Sequence, residues 1–488
     1  MALNETRRLF FCEVMCVEIH PQSRRIAVHK FNGSSFGAFL NELFKGAFTK
    51  PSHVSFLLLS LGFVFAFTRH TVASYLWRAG AATFKHFTRF YVFLGGPCHD
   101  QLDGLFERVI IRAAGQVPEG ELVRVRFDET TTKKTGRKIE GCSTYRNGAG
   151  SARQEYRTLF GLNFVLGEMR IRLSCWKDHF VSVPIGLALY LKEKEARKLN
   201  RPYRTRSELA REMLDRVCRL VGPKRTVLSV QDGNYATKAF LQDLPENARV
   251  VGRLYLDSPL YARPEPKPPS QPGPEPKKGP RLGNPQELAE AADPEAWQPH
   301  REDEDAEVLT VEGLWHSVMP EVWLRVVILR RPQQKATRQK KELEAFFTSL
   351  PRLSAEELLK EYRGRWSIEI LIREAREHYG LGQDRCRKYE RIVGVNGLRM
   401  LLGASQVLWF ARELEQHEEA DGSTRIALRP YQPWYKQKQK PSLHDITWAV
   451  RERLMAEGIT PTVGIWQGVG VIHRLPGEQG ADQLPRAA

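Results

Sequence analysis

The stretch LVRVRFD, residues 122–128, decides the fold when it is read beside TVLSVQDGNY, residues 226–235. In the first, Val123, Val125 and Phe127 alternate with Arg124, Arg126 and Asp128, the period of a half-buried strand that ends at Asp128. In the second, a short apolar run delivers Asp232 and is followed by a turn at Gly233. Both aspartates are therefore expected at strand ends facing one sheet edge, where sites assemble in open α/β sheets.

Outward from these two strands, further strands are predicted near Phe164–Trp176, Val181–Leu191 and Arg249–Leu254, with a helix over Ser207–Leu220 between them. Prolines crowd Ala262–Pro285 so densely that neither helix nor ladder persists, which reads as a tether. After the acidic stretch Glu302–Glu307, strand-like runs at Val308–Trp315 and Val322–Leu329 suggest a β-rich insertion, and a last strand is expected at Ala345–Ser349. Ser354 and Glu357 make a capping box that opens one long helix running to Tyr379, closed by Gly380 and Gly382. Helices are expected again at Val393–Leu414 and His444–Met455, with the basic aromatic tract Arg429–Lys440 between them. Near the start, Phe48–Phe106 is apolar and aromatic, interspersed with Arg69, His70, Lys85, His86 and Arg89, and reads as helical. Those cations suit either phosphate contact or a solvated helix face.

The chain has 488 residues, 42% of them hydrophobic, enough for two or three domains with real cores. Lys and Arg number 74 against 57 Asp and Glu, a net charge of +17 that favours a polyanionic partner. Arg7 and Arg8 precede a short apolar patch, but Glu13 and Glu18 interrupt it and no secretory signal is expected. The apolar run Val54–Phe67 is shorter than the ~20 residues a membrane-spanning helix needs, so it reads as a buried core helix with no membrane insertion. Seven cysteines in no repeating frame suit a reducing cytoplasm without disulfides. Cys12, Cys16, His20 and His29 fall outside the common zinc spacings and are expected to be unligated.

On the long helix, Tyr362, Arg365, Glu369, Arg373 and Arg376 fall in one stripe at about 100° per residue. Charge pairing at such spacings also stabilises ordinary exposed helices, by about 0.2–0.5 kcal/mol per pair. The stripe gains meaning because its glutamate follows two strand-end aspartates, giving a third oxygen ligand for divalent ions. Glu129 rivals Asp128 for the first ligand position, but successive strand side chains point to opposite faces, so the two do not easily share a site.

These residues resemble the DDE transposases of bacterial insertion sequences, which have a ribonuclease-H-like catalytic core. The resemblance covers about Phe48–Leu402 and rests on four pieces. DETTTKKTGRKIEG, residues 128–141, is similar to the first-aspartate segment with its basic hairpin, and QDGNY, residues 231–235, is similar to the second-aspartate motif. Tyr362, Arg365, Glu369 and Arg376 match the spacing of the family's tyrosine-arginine-glutamate-lysine signature, with arginine in place of the last lysine. That exchange keeps the charge but alters phosphate geometry. The tethered insertion resembles the branch of the family that carries one.

The resemblance implies a mixed α/β sheet of ribonuclease-H type flanked by helices, an all-helical N-terminal domain and a β-rich insertion. The expected division is an unassigned segment at 1–45, a helical DNA-binding domain at 46–115, catalytic core at 116–260 and 345–415, tether and insertion at 261–344, and a basic C-terminal region at 416–488. It implies Asp128, Asp232 and Glu369 as catalytic ligands of two Mg²⁺ ions, with Mn²⁺ as substitute. Tyr362, Arg365, Arg373 and Arg376, with Lys133, Lys134, Arg137 and Lys138, are the expected DNA contacts; for the lysines a solvated turn is the alternative. Trp315 or Trp323 is a candidate for stacking on a flipped base, against the alternative of core packing. Double-stranded DNA, as element ends and target, is the expected partner, bound by a homodimer. No Gly-x-x-x-x-Gly-Lys-Ser/Thr loop is present, so ATP dependence is not expected. Two other readings stand beside this one: a nuclease of the same fold without strand transfer, and an inactive DNA-binding regulator of transposase descent.

Overall fold

A computed structural model of the chain describes residues 29–146, 157–174, 179–267, 273–335, 341–421 and 440–461. Cys12, Cys16, His20, Cys175 and most of the tract Arg429–Lys440 lie outside the described residues.

Five helices come first: α1 (Ser35–Leu43), α2 (Lys50–Val64), α3 (Val72–Arg78), α4 (Thr88–Phe93) and, after a π turn, α5 (His99–Gly115). Every residue of α2 from Ser55 to Val64 is buried, as the apolar run predicts, although the helix ends at Val64. Close approach sets its packing, since a Cβ on Gly62 would stand 2.1 Å from the carbonyl oxygen of Tyr75. These helices do not close a core of their own. Their buried side chains form one continuous cluster with the sheet and the late helices.

The strands β1 (Val123–Lys133), β2 (Ser143–Arg146), β3 (Thr158–Arg172) and β4 (Phe180–Tyr190) are followed by α6 (Glu193–Lys198), α7 (Arg206–Val221), β5 (Val227–Gln231), α8 (Lys238–Leu241) and β6 (Ala248–Leu254). Then come β7 (Leu260–Tyr261), β8 (Arg281–Gly283), α9 (Pro285–Ala291), β9 (Gln298–Pro299), β10 (Glu307–Leu314), β11 (Trp323–Arg330) and β12 (Leu343–Thr348). Four helices follow: α10 (Ala355–Arg363), α11 (Trp366–Glu377), α12 (Tyr389–Asp421) and α13 (Leu443–Ala456). The sheet runs β2-β3-β1-β5-β6-β12-β11-β10-β7-β8, with β4 also on β3 and β9 on β10. β1, β5 and β6 are mutually parallel and the other pairings antiparallel, so the architecture is a large mixed sheet flanked by helices, compatible with the expected core.

Four expectations need correction. First, β1 does not end at Asp128. Thr130, Thr131 and Thr132 carry it on to Lys133, because these β-branched residues pair with Phe164, Asn163 and Leu162 on β3. Second, β1 is not half exposed: it lies between two neighbours, and Arg126 is 1% exposed. Third, the helix from Ser354 to Tyr379 is two helices. It breaks at Gly364 and Arg365, where three nearby amides bond three residues back instead of four (Arg365 to Tyr362, Ser367 to Gly364, Ile368 to Arg365). Fourth, the strands of the insertion extend the main sheet, since β11 pairs with β12 and β12 with β6. The proline-rich stretch ends early too, because Asn284 caps α9 in a capping box with Glu287.

α12 is long and apolar enough by length and composition to cross a membrane, but its apolar window is wholly buried among α5, α13 and β4. A second core, Leu228, Val230, Val251, Val327 and Phe346 with Leu358 and Leu359, seats α10 on one sheet face. That seat fixes where the chain enters α11, which bears Glu369.

Candidate active site

β1 and β5 run parallel with Val123 opposite Val227 and Arg126 opposite Val230. Carried two residues further, that register sets Asp128 level with Asp232, on the side of the sheet that Arg126 and Val230 share. Asp232 stands one residue beyond the end of β5, at the head of a single 3₁₀ turn, Gly233–Tyr235. Asp128 is a mid-strand residue, but it sits where β1 has lost its parallel neighbour and so is open on that flank.

The Asp128 carboxyl is half-buried, and its Oδ1 accepts from the amide of Glu129 at 2.8 Å. Burial first, then the charge of Glu129 and, more weakly, that of Glu369 push its pKa up to about 7, against the pull of that amide and of Arg365. Glu129 points the other way, as alternation requires: its Oε2 accepts from the Tyr235 hydroxyl at 3.1 Å and its Oε1 is 3.5 Å from Arg206. Asp128 is the one of the two that shares a face with Arg126 and lies in the field of Glu369 and Arg365. Tyr235 ties the Asp232 turn to β1 from the opposite face.

α11 brings Glu369 over the same face as Asp128. Its Oε1 accepts from Nη2 of Arg365 at 2.7 Å. Burial works against the charge of Arg365, but Asp232, Tyr362 and Glu369 outweigh it and hold its pKa above the ordinary value. One guanidinium thus stands in the field of all three predicted acids. Among the described residues no three Asp, Glu, His or Cys side chains gather at metal-ligating spacing. Asp128, Asp232 and Glu369 offer carboxylate oxygens, the donor type that Mg²⁺ takes, but they do not gather at ligating spacing, and it is the Arg365 cation that stands beside Glu369.

The other predicted residues divide. Tyr362 packs its ring 4.5 Å from Phe346, so it belongs mainly to the second core. Arg373 is exposed on α11. Arg376 donates to the carbonyl of Thr131 at 2.8 Å and to the Thr130 hydroxyl, which pins α11 to β1. Lys134 is a correction: it is buried, and its ammonium donates to Gly382 O, Asp384 O and Asp384 Oδ2, so none of it is left for DNA. Lys133, Arg137 and Lys138 are exposed and line a cleft of about 610 Å³ with Arg385 and Arg387. Glu140 braces its walls by accepting from Lys388 Nζ and Tyr389 N, both at 2.8 Å. Trp315 is core, 4% exposed against Phe347, and Trp323 donates to Glu312 beneath the Arg263 guanidinium.

Several residues escaped the sequence reading. Trp366, 59% exposed, and Ile370 flank Glu369 on α11; a tryptophan three residues before the glutamate was the available signal. Arg385 and Arg387 needed the fold to bring them to the loop at 133–139. Arg126, Glu168 and Ser367 form a buried polar contact beside the acids.

No curated protein matches the chain. Residues 203–402 match the family described as Transposase DDE domain, a segment that contains Asp232 and Glu369 and begins downstream of Asp128. Within that segment the strand that delivers Asp232 and the helix that bears Glu369 are similar to a transposase DDE domain.

Proposed function

We propose that this protein is a transposase that binds the terminal inverted repeats of an insertion sequence and catalyses metal-dependent DNA cleavage and strand transfer. The observation that carries the reading is the register that levels Asp128 with Asp232 while Glu369 approaches the same face from α11. Asp128, Asp232 and Glu369 would hold two Mg²⁺ ions, or Mn²⁺. Bound there, such ions supply an activated water and stabilise charge on the leaving oxygen. The chain's own part is positional. β1 and β5 would present Asp128 and Asp232 on one face, and Arg365, which pairs with Glu369, would have to release it for Glu369 to serve as a ligand. Burial of Asp128 makes a second cation strongly favoured beside it.

Phosphate contact falls to Arg365, Arg373 and Arg376 beside the acids and to Lys133, Arg137 and Lys138 at the cleft, with the Tyr362 hydroxyl at the site's edge. DNA duplexes at the element ends and at the target are the partners, held by a homodimer in the cytoplasm at the nucleoid. Binding without cutting is the second reading. It draws on the Arg365–Glu369 ion pair and on acids that stand apart.

Purified protein with Mg²⁺ or Mn²⁺ should nick and join duplexes carrying the inverted repeats that flank its gene, and Asp232→Ala should do neither. Nicking without joined products would support a nuclease, and tight binding without nicking by the unsubstituted protein would support a regulator.

A further inference from the structure

The strongest unexplained feature lies beneath α10 and α11. Along β1, alternate residues Arg124, Arg126 and Asp128 share one face. Arg124 pairs with Glu361 near the end of α10, Nη2 to Oε1 at 2.7 Å. Arg126 lies opposite Glu168 on β3, Nη1 to Oε1 at 3.5 Å, with the two side chains 1% and 0% exposed. The same Glu168 oxygen accepts from the hydroxyl of Ser367, in the first turn of α11. At the break between the helices, a Cβ on Gly364 would come 2.9 Å from Nη2 of Arg126, so the turn rests directly on the guanidinium.

As a source of stability this pair is a poor choice. Arg126 Nε and Glu168 Oε2 are buried without partners, and a buried ion pair with incomplete hydrogen bonding does no better than apolar residues of equal volume. What it provides is register. The strand rises about 13 Å from Arg124 to Asp128, and along it lie the contact from Glu361 at the end of α10, then that from Ser367 at the start of α11, with Glu369 two residues further on. The cross-links at Glu361 and Ser367 therefore lead to Glu369 meeting Asp128.

Resting on the transposase reading above, we propose that Arg126 and Glu168, through Ser367 and Gly364, are positioning residues that set the register of α11 on β1 and so hold Glu369 opposite Asp128. They touch neither DNA nor ions. Their loss leaves the fold and DNA affinity in place and lets the start of α11 slide.

The test uses the full chain with Glu168→Gln, and with the milder Ser367→Ala in case the first does not fold, each compared by hydrogen exchange and by cleavage. Both variants should speed amide exchange within residues 364–369 by roughly tenfold while the rest of the sheet keeps its protection. The cleavage kcat should fall by up to about 100-fold with KM for DNA unchanged, and Ser367→Thr should restore it. Unaltered exchange at 364–369, or unaltered kcat in an enzyme that cuts, overturns the proposal. If the unsubstituted protein does not cut DNA, the transposase reading fails on its own, and exchange at 364–369 still decides whether these cross-links set the register.

Discussion

Arg365 and Glu369 sit one helical turn apart at the start of α11 and are joined by a hydrogen-bonded ion pair of 2.7 Å, with Asp232 adding its field to the same guanidinium. The arginine therefore serves as the resident cation of an acidic site. Replacing Arg365 with Met removes it, and the metal-free protein should lose about 1 kcal/mol as the acids repel one another. Added Mg²⁺ should then raise the melting temperature of the variant more than that of the unsubstituted protein. Equal Mg²⁺ shifts in the two would show that Arg365 and the ions do not contend for the same carboxylates.

Asp128→Asn should separate stability from activity. Its carboxyl is half-buried beside Glu129 and within reach of Glu369, so the neutral amide relieves a repulsion and should stabilise the metal-free fold by about 1–2 kcal/mol at neutral pH while abolishing cleavage. Denaturant melts of the two proteins give the answer; a destabilised variant would mean that the carboxylate is compensated in the native state.

The cleft between the loop at 133–139 and the loop at 383–387 makes a quantitative prediction. Lys133, Arg137, Lys138, Arg385 and Arg387 make no ion pair among the described residues. Each one changed to Gln should reduce the slope of log affinity against log salt by about 0.9, without changing which sequence is preferred. Lys134→Met should behave otherwise, leaving the slope alone and destabilising the protein by about 3 kcal/mol by leaving the buried Asp384 carboxylate without its cation. A salt slope that responds to Lys134 as it does to Arg137 would contradict this division.

His70 supplies the pH dependence. It is 2% exposed, packed against Phe63 and Tyr75, and its Nδ1 lies 3.3 Å from the Tyr75 hydroxyl. Burial, then the charges of Arg399, Arg451 and His378, lower its pKa from 6.5 to about 3. The unfolded chain therefore takes up this proton first as the pH falls. Stability present above about 6.5 is lost progressively down to about 3. His70→Gln should flatten that part of the stability curve by one proton, and an unchanged acid slope would place the titration elsewhere.

Much of this was legible because it was locally encoded. The run into Asp232 reads as a short apolar strand, and Ser354 with Glu357 caps α10 as the capping box requires. Glu129 was separable from Asp128 by strand alternation alone. What escaped depends on partners far along the chain. Arg124 and Arg126 spell a solvent face by period, yet Glu361 and Glu168 bury them beneath two helices. Gly364 is weak as a helix breaker by itself, and its role appears only with Arg126 against it. The insertion looked like an appendage because nothing local says that β11 will pair with β12 and complete the main sheet.

The placement of α12 has a consequence for how the protein is made. The helices α1–α5 bury their apolar sides against a helix that begins at Tyr389, about three hundred residues later. A ribosome emits some 5–20 residues per second, so the first quarter of the chain spends on the order of 15–60 s outside the exit tunnel with its greasy surfaces uncovered. During that interval the nascent chain is open to aggregation or to capture by a holdase, so slower translation would lengthen its exposure.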